Sequence, residues 1–78
     1  MLREHDTAVL VRDLPDKGLR AGDVGTVVMV HAARGYEVEF MTLDGQTVAV
    51  ISLSSDDIRP IRRGEIAHAR HIEPVTAR

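Results

Sequence analysis

Apolar residues in this chain fall in short runs rich in Val, Ile and Leu, separated by clusters of Gly, Pro and Asp. Thr7-Ala-Val-Leu-Val11 is the first such run, too short for a helix and rich in β-branched residues, so it predicts a strand closed by Arg12. A second strand is expected from about Gly25 to His31 and a third over Tyr36 to Thr42. The third alternates cleanly, with Tyr36, Val38 and Phe40 on one face and Glu37 and Glu39 on the other. That is the period-2 signature of a strand with one buried and one wet side. Asp44-Gly45 is the strongest hairpin signal in the chain, and Thr47 to Leu53 is the return strand.

The segments between these runs are equally informative. Asp13 to Asp23 is too long for a tight hairpin, and Pro15, Gly18 and two Asp residues mark its first half as a loop with Leu19 as its anchor. Gly18, Gly22 and Gly25 punctuate the approach to the second strand, with a positive φ expected at Gly22 and close packing or a bulge at Gly25. Ser54-Ser-Asp-Asp57 supplies side-chain oxygens to cap a single helical turn. Ile58-Arg-Pro-Ile61 then reads as a short closing strand, confined by Pro60 to an edge or a strand end. Glu65 to Ile72 reads as an extra strand with Ile66 and Ile72 on one face, or as two helical turns stopped by Pro74. Residues 74–78 are expected to fray.

Together these elements predict an all-β fold: a small SH3-like (KOW-like) antiparallel barrel of five to six strands, with one short helical turn before the closing strand. Residues 1–73 form its single domain. An OB-fold fits less well, since it needs longer strands and a helix between the third and fourth.

Composition narrows the function. A chain of 78 residues buries only about 60% of the surface its unfolded form exposes, so the core is thin. No Cys is present, which excludes disulfides and thiolate metal sites and points to a reducing, cytoplasmic setting. No stretch is long and apolar enough to span a membrane as a helix, and a net charge of −2 gives no global attraction to nucleic acid.

Val9 to Pro15, the segment Gly18 to Val28, Tyr36 to Phe40 and Asp56-Asp-Ile-Arg-Pro-Ile61 closely resemble a family of short bacterial and archaeal proteins, the domain-of-unknown-function 4926 family. The resemblance runs from about Glu4 to Ile72, including Glu65 to Arg70. It implies an SH3-like fold and no assigned activity.

Catalysis and cofactors find little support. His68 and His71 would meet at one metal only on a helix, and no metal or cofactor is expected. Ser52, Ser54 and Ser55 lie near Asp56 and Asp57 but lack a neighbouring His in sequence. A barrel this small rarely encloses the pocket that acid–base chemistry needs, so no enzyme is expected. The glycines do not form a phosphate loop, because Gly25 leads into a strand and no Lys follows.

Two binding readings remain. The second and fourth strands are apolar on both faces, more than one small barrel interior requires. Either the C-terminal segment covers the excess, or part of it contacts another chain, a protein partner or a second copy in a homodimer. The contact residues would be Leu19, Arg20, Val28, Val30, Ala49 and Ile51. Such a module would serve as an accessory, antitoxin or immunity-type protein. The alternative is a KOW-like RNA- or ribosome-associated module using Arg12, Arg20, Arg59, Arg62 and Arg63. It lacks exposed aromatics for base stacking.

Overall fold

The computed structural model describes residues 2–33 and 35–73; the expected fraying of 74–78 lies outside them. Five antiparallel strands form one sheet: β1 (Thr7–Leu10), β2 (Val24–His31), β3 (Gly35–Met41), β4 (Thr47–Ser54) and β5 (Ile58–Pro60). Their order is β4-β3-β2-β1-β5. The first four strands form a meander, and β5 returns to the free side of β1. This is the small SH3-like barrel that the sequence predicts, with five strands.

The core follows from the alternation along β3. Tyr36, Val38 and Phe40 point inward, where Val27, Leu53, Ala8, Leu10, Ile58, Leu19 and Leu2 meet them. Phe40, Leu10, Val27 and Val38 are the largest fully buried side chains, each contributing roughly 1.5–3 kcal/mol by leaving water. Gly25 is opposite Phe40 in the ladder. A Cβ there would lie 2.7 Å from Val38 Cγ1 and 2.9 Å from the Glu39 carbonyl oxygen, so β2 and β3 approach this closely only because the residue is Gly.

The long loop is internally braced. A 3-10 turn over Pro15–Lys17 ends at Gly18, whose φ of 71° is left-handed. Leu14 and Leu19 form an isolated bridge across that turn. The Ala21 N–H donates to the Asp13 carboxylate at 2.9 Å, and the Arg20 N–H donates to Asp23 at 2.8 Å. Gly22 has φ of 97°, the conformation expected of it.

Three expectations change. The segment before β5 is a hydrogen-bonded turn, with the Asp57 N–H donating to the Ser54 carbonyl at 3.0 Å. The Ser54 N–H and hydroxyl both donate to the Asp57 carboxylate, so the side chains close the turn before a helix can start. The 3-10 turn lies instead in the long loop. Residues from Ile61 to Glu73 are neither strand nor helix. Pro60 offers no N–H to a further ladder, and a turn with Gly64 at φ 84° redirects the chain. The polar N-terminal lead-in also contributes more than expected. Leu2 is buried in the core, and the Val27 N–H donates to the Asp6 carbonyl.

Candidate functional site

Across the outer face of the sheet, register places Thr26, Glu39 and Val50 in one row and Met29, Glu37 and Ser52 in the next. Val28 occupies a β-bulge between them, where the pairing slips from Val27 to Met29. Val24, Val28, Met29 and Val50 are all exposed, Val50 at 54%. The two carboxylates within this apolar surface are tied sideways. Glu39 accepts from Thr47 Oγ1 at 2.7 Å. Glu37 accepts from the Ser52 hydroxyl, and His31 Nε2 lies 2.9 Å from the same carboxylate. The Ser52 hydrogen bond and then His31 hold the Glu37 carboxyl below its ordinary value. β4 borders this face as an edge of the sheet, and its eight residues carry no charge and no Pro.

The expected contact residues divide. Val28 and Val30 are exposed at 39% and 41%, and Arg20 is exposed too. Leu19 is only 3% exposed; it is the anchor of the long loop and is unavailable to a partner. Ala49 and Ile51 pair with Phe40 and Val38, so they face the interior and are half-buried. Val50 is the outward residue of β4, and the sequence reading missed it. A bulge at Val48, where pairing slips between Phe40 and Met41, sets which residues of β4 face out. Val24 and Met29 were missed as well. Counting alternation outward from the Tyr36, Val38 and Phe40 face would have found Met29 only if the bulge at Val28 were known.

Of the arginines considered for nucleic acid, two are committed to ion pairs. Arg12 Nε donates to Asp57 at 2.7 Å, tying the end of β1 to the turn before β5. That bond is the main reason the Asp57 carboxyl lies below its ordinary value. Arg59 forks onto Glu65 at 3.0 and 2.6 Å. Together with the Arg62 N–H at 2.5 Å it lowers the Glu65 carboxyl to about 2. Among the described residues Arg20, Arg62 and Arg63 have no carboxylate partner.

Side-chain chemistry on the surface is that of hydrogen bonding. His31, Glu37 and Ser52 come together from three strands, but the carboxylate sits in the middle. The hydroxyl proton goes to Glu37, and no imidazole nitrogen takes it, which is not the arrangement of an activated nucleophile. Among the described residues no three His, Asp or Glu side chains gather where a metal ion would fit. None of their helices is long and apolar enough to cross a membrane. A shallow groove runs between the Thr47 to Val50 half of β4 and the 3-10 turn, with Ile72 and Glu73 along it.

No curated protein and no solved structure matches the chain. A family model does match, over residues 4–60, from the N-terminal lead-in to the end of β5; the tail from Ile61 onward, included in the resemblance read from the sequence, lies beyond it. The chain therefore belongs to the family described as a domain of unknown function, DUF4926.

Proposed function

We propose that the protein is a non-catalytic interaction module and that its partner is a second copy of itself, joined through β4. The observation that carries this reading is the character of that edge. β4 is eight residues long, uncharged and free of Pro, and Val50 stands exposed beside it. Sheet proteins guard long edges with charges, Pro or covering segments, because an unguarded edge pairs with another strand. A strand identical to itself pairs across a two-fold axis in antiparallel register, which continues the sheet into the second copy. Such pairing would bring Val50 of each copy onto one outer surface, with Glu39 of β3 beside it and Thr26, Val28 and Met29 one strand further on. Edge pairing alone buries less than the roughly 800 Å² per partner of a stable dimer, so the dimer should be weak and concentration-dependent. The lack of Cys suits work in a reducing cytoplasm.

Hydrogen exchange tests the edge directly. Amides of β4 that point away from β3 should exchange freely in dilute protein and become protected as concentration rises. Unchanged exchange at every concentration would remove the edge from the interface. An RNA role would rest on Arg20, Arg62 and Arg63. Oligonucleotide binding with a steep salt dependence would replace the present reading with that one.

A further inference from the structure

The chain beyond β5 does not join the sheet, yet it comes back to the barrel. Every residue from Ile61 to Ala69 is exposed, Ile66 at 92%. Among the described residues, no hydrogen bond ties residues 66–69 to anything. Then two side chains dock. Arg70 donates to both Asp23 oxygens, from Nε at 2.9 Å and Nη2 at 2.5 Å, and from Nη2 to the Gly18 carbonyl at 3.0 Å. Two positions on, Ile72 packs half-buried against the core, along the groove lined by Val48, Ala49, Asp16 and Lys17.

The receiving side is built by the barrel without the tail. Asp23 is aimed by the Arg20 N–H, and the Gly18 carbonyl is set by the left-handed end of the 3-10 turn. A braced receptor facing two side chains on an exposed leash is the geometry of a ligand bound in cis.

We propose that the groove between the Asp13 to Asp23 loop and the N-terminal half of β4 binds an extended peptide segment of another protein. That segment carries an arginine and, two positions later, a branched aliphatic residue; Arg70 and Ile72 occupy the site in its absence. The groove shares the Thr47 to Val50 half of β4 with the proposed self-association edge, so a bound peptide and a second copy would compete for that half of the strand. The tail itself displays the required chemistry. One planar fork satisfies two carboxylate oxygens and a carbonyl, which a lysine ammonium cannot do with the same geometry. Arg70 and Ile72, two positions apart, both turn toward the barrel, the first onto Asp23 and the Gly18 carbonyl and the second into the groove. A short leash holds the tail at a millimolar effective concentration, so the partner must outcompete it and the tail sets a threshold for binding.

The full chain carrying Arg70→Ala and Ile72→Ala tests this, with a fluorescent peptide of residues 66–73 as the probe and anisotropy as the readout. The variant should bind the probe at least ~10-fold more tightly than the unaltered protein, because the competing ligand is gone. Adding Asp23→Asn, or replacing the arginine of the probe by lysine, should abolish the gain. A folded variant that binds no better than the unaltered protein overturns the proposal. So does a variant that fails to fold, because the tail is then part of the fold and not a displaceable ligand. A concentration-dependent mass that the double variant loses would assign the groove to exchange of tails between copies, also against the proposal.

Discussion

Arg70 grips Asp23 from 47 residues further along the chain, with nitrogen–oxygen distances of 2.9 and 2.5 Å. The pair joins the tail to the turn that launches β2. Both side chains are partly exposed, 25% for Arg70 and 18% for Asp23, so solvent screens the attraction. Replacing Arg70 by Met should therefore cost only about 0.5–1 kcal/mol of global stability. The effect should be local: hydrogen exchange across residues 66–73 should accelerate, while amides of β1 to β3 keep their protection. Uniform loss of protection would mean that the tail is integral to the barrel.

Acid should release the same tail. Burial by itself raises the Asp23 carboxyl, but the Arg70 hydrogen bond, the Arg20 N–H and the nearby guanidinium charges outweigh it and leave it lowered. Glu65 is lowered from 4.5 to about 2, chiefly by Arg59. A carboxyl that titrates lower in the folded chain contributes its full stabilisation above its unfolded value and loses it as pH falls through the folded one. For Glu65 that window runs from 4.5 down to about 2. Thermal unfolding should be insensitive to Glu65 protonation near pH 7 and should fall through this window. Glu65→Gln should flatten the Glu65 part of the decline, and an identical acid profile in that variant would contradict the assignment.

Gly25→Ala should be more damaging than the same change at Gly22, Gly35, Gly45 or Gly64. The new Cβ would meet Val38 Cγ1 at 2.7 Å and the Glu39 carbonyl at 2.9 Å, and the second of these is backbone in a paired strand. Overpacking of this kind costs about 1–3 kcal/mol. Against the roughly 4–12 kcal/mol expected for a domain of this length, that loss would show clearly in a urea titration. Gly22 has open space around it and only its φ of 97° to protect, so Gly22→Ala should cost less, about 1 kcal/mol.

Much of the fold was legible because its signals are local. The alternation from Tyr36 to Phe40, the Asp44-Gly45 turn and the glycines before β2 each act over a few residues, and each appears in the structure. The candidate surface was less legible because sheet register is not a local property. A bulge at Val48 and another at Val28 determine which valines face water, and neither carries a Gly or Pro to announce it. Ala49 and Ile51 were therefore placed outside when they face inward, and Val50 was passed over. The tail was obscure for a different reason. Its attachment depends on Asp23 and Gly18, and the spacing of Ile66 and Ile72 says nothing about a partner so distant in sequence.

Self-association through β4 is the central claim, and the solution mass tests it most directly. Sedimentation equilibrium of the intact chain should give an average mass that rises above 8.6 kDa as concentration increases. Val50→Lys places a charge beside the edge without disturbing the core, since Val50 is 54% exposed. That variant should keep its folded circular dichroism spectrum and stay at 8.6 kDa throughout. An intact chain that remains at the monomer mass up to millimolar concentration, or a Val50→Lys variant that associates as the intact chain does, would contradict the account.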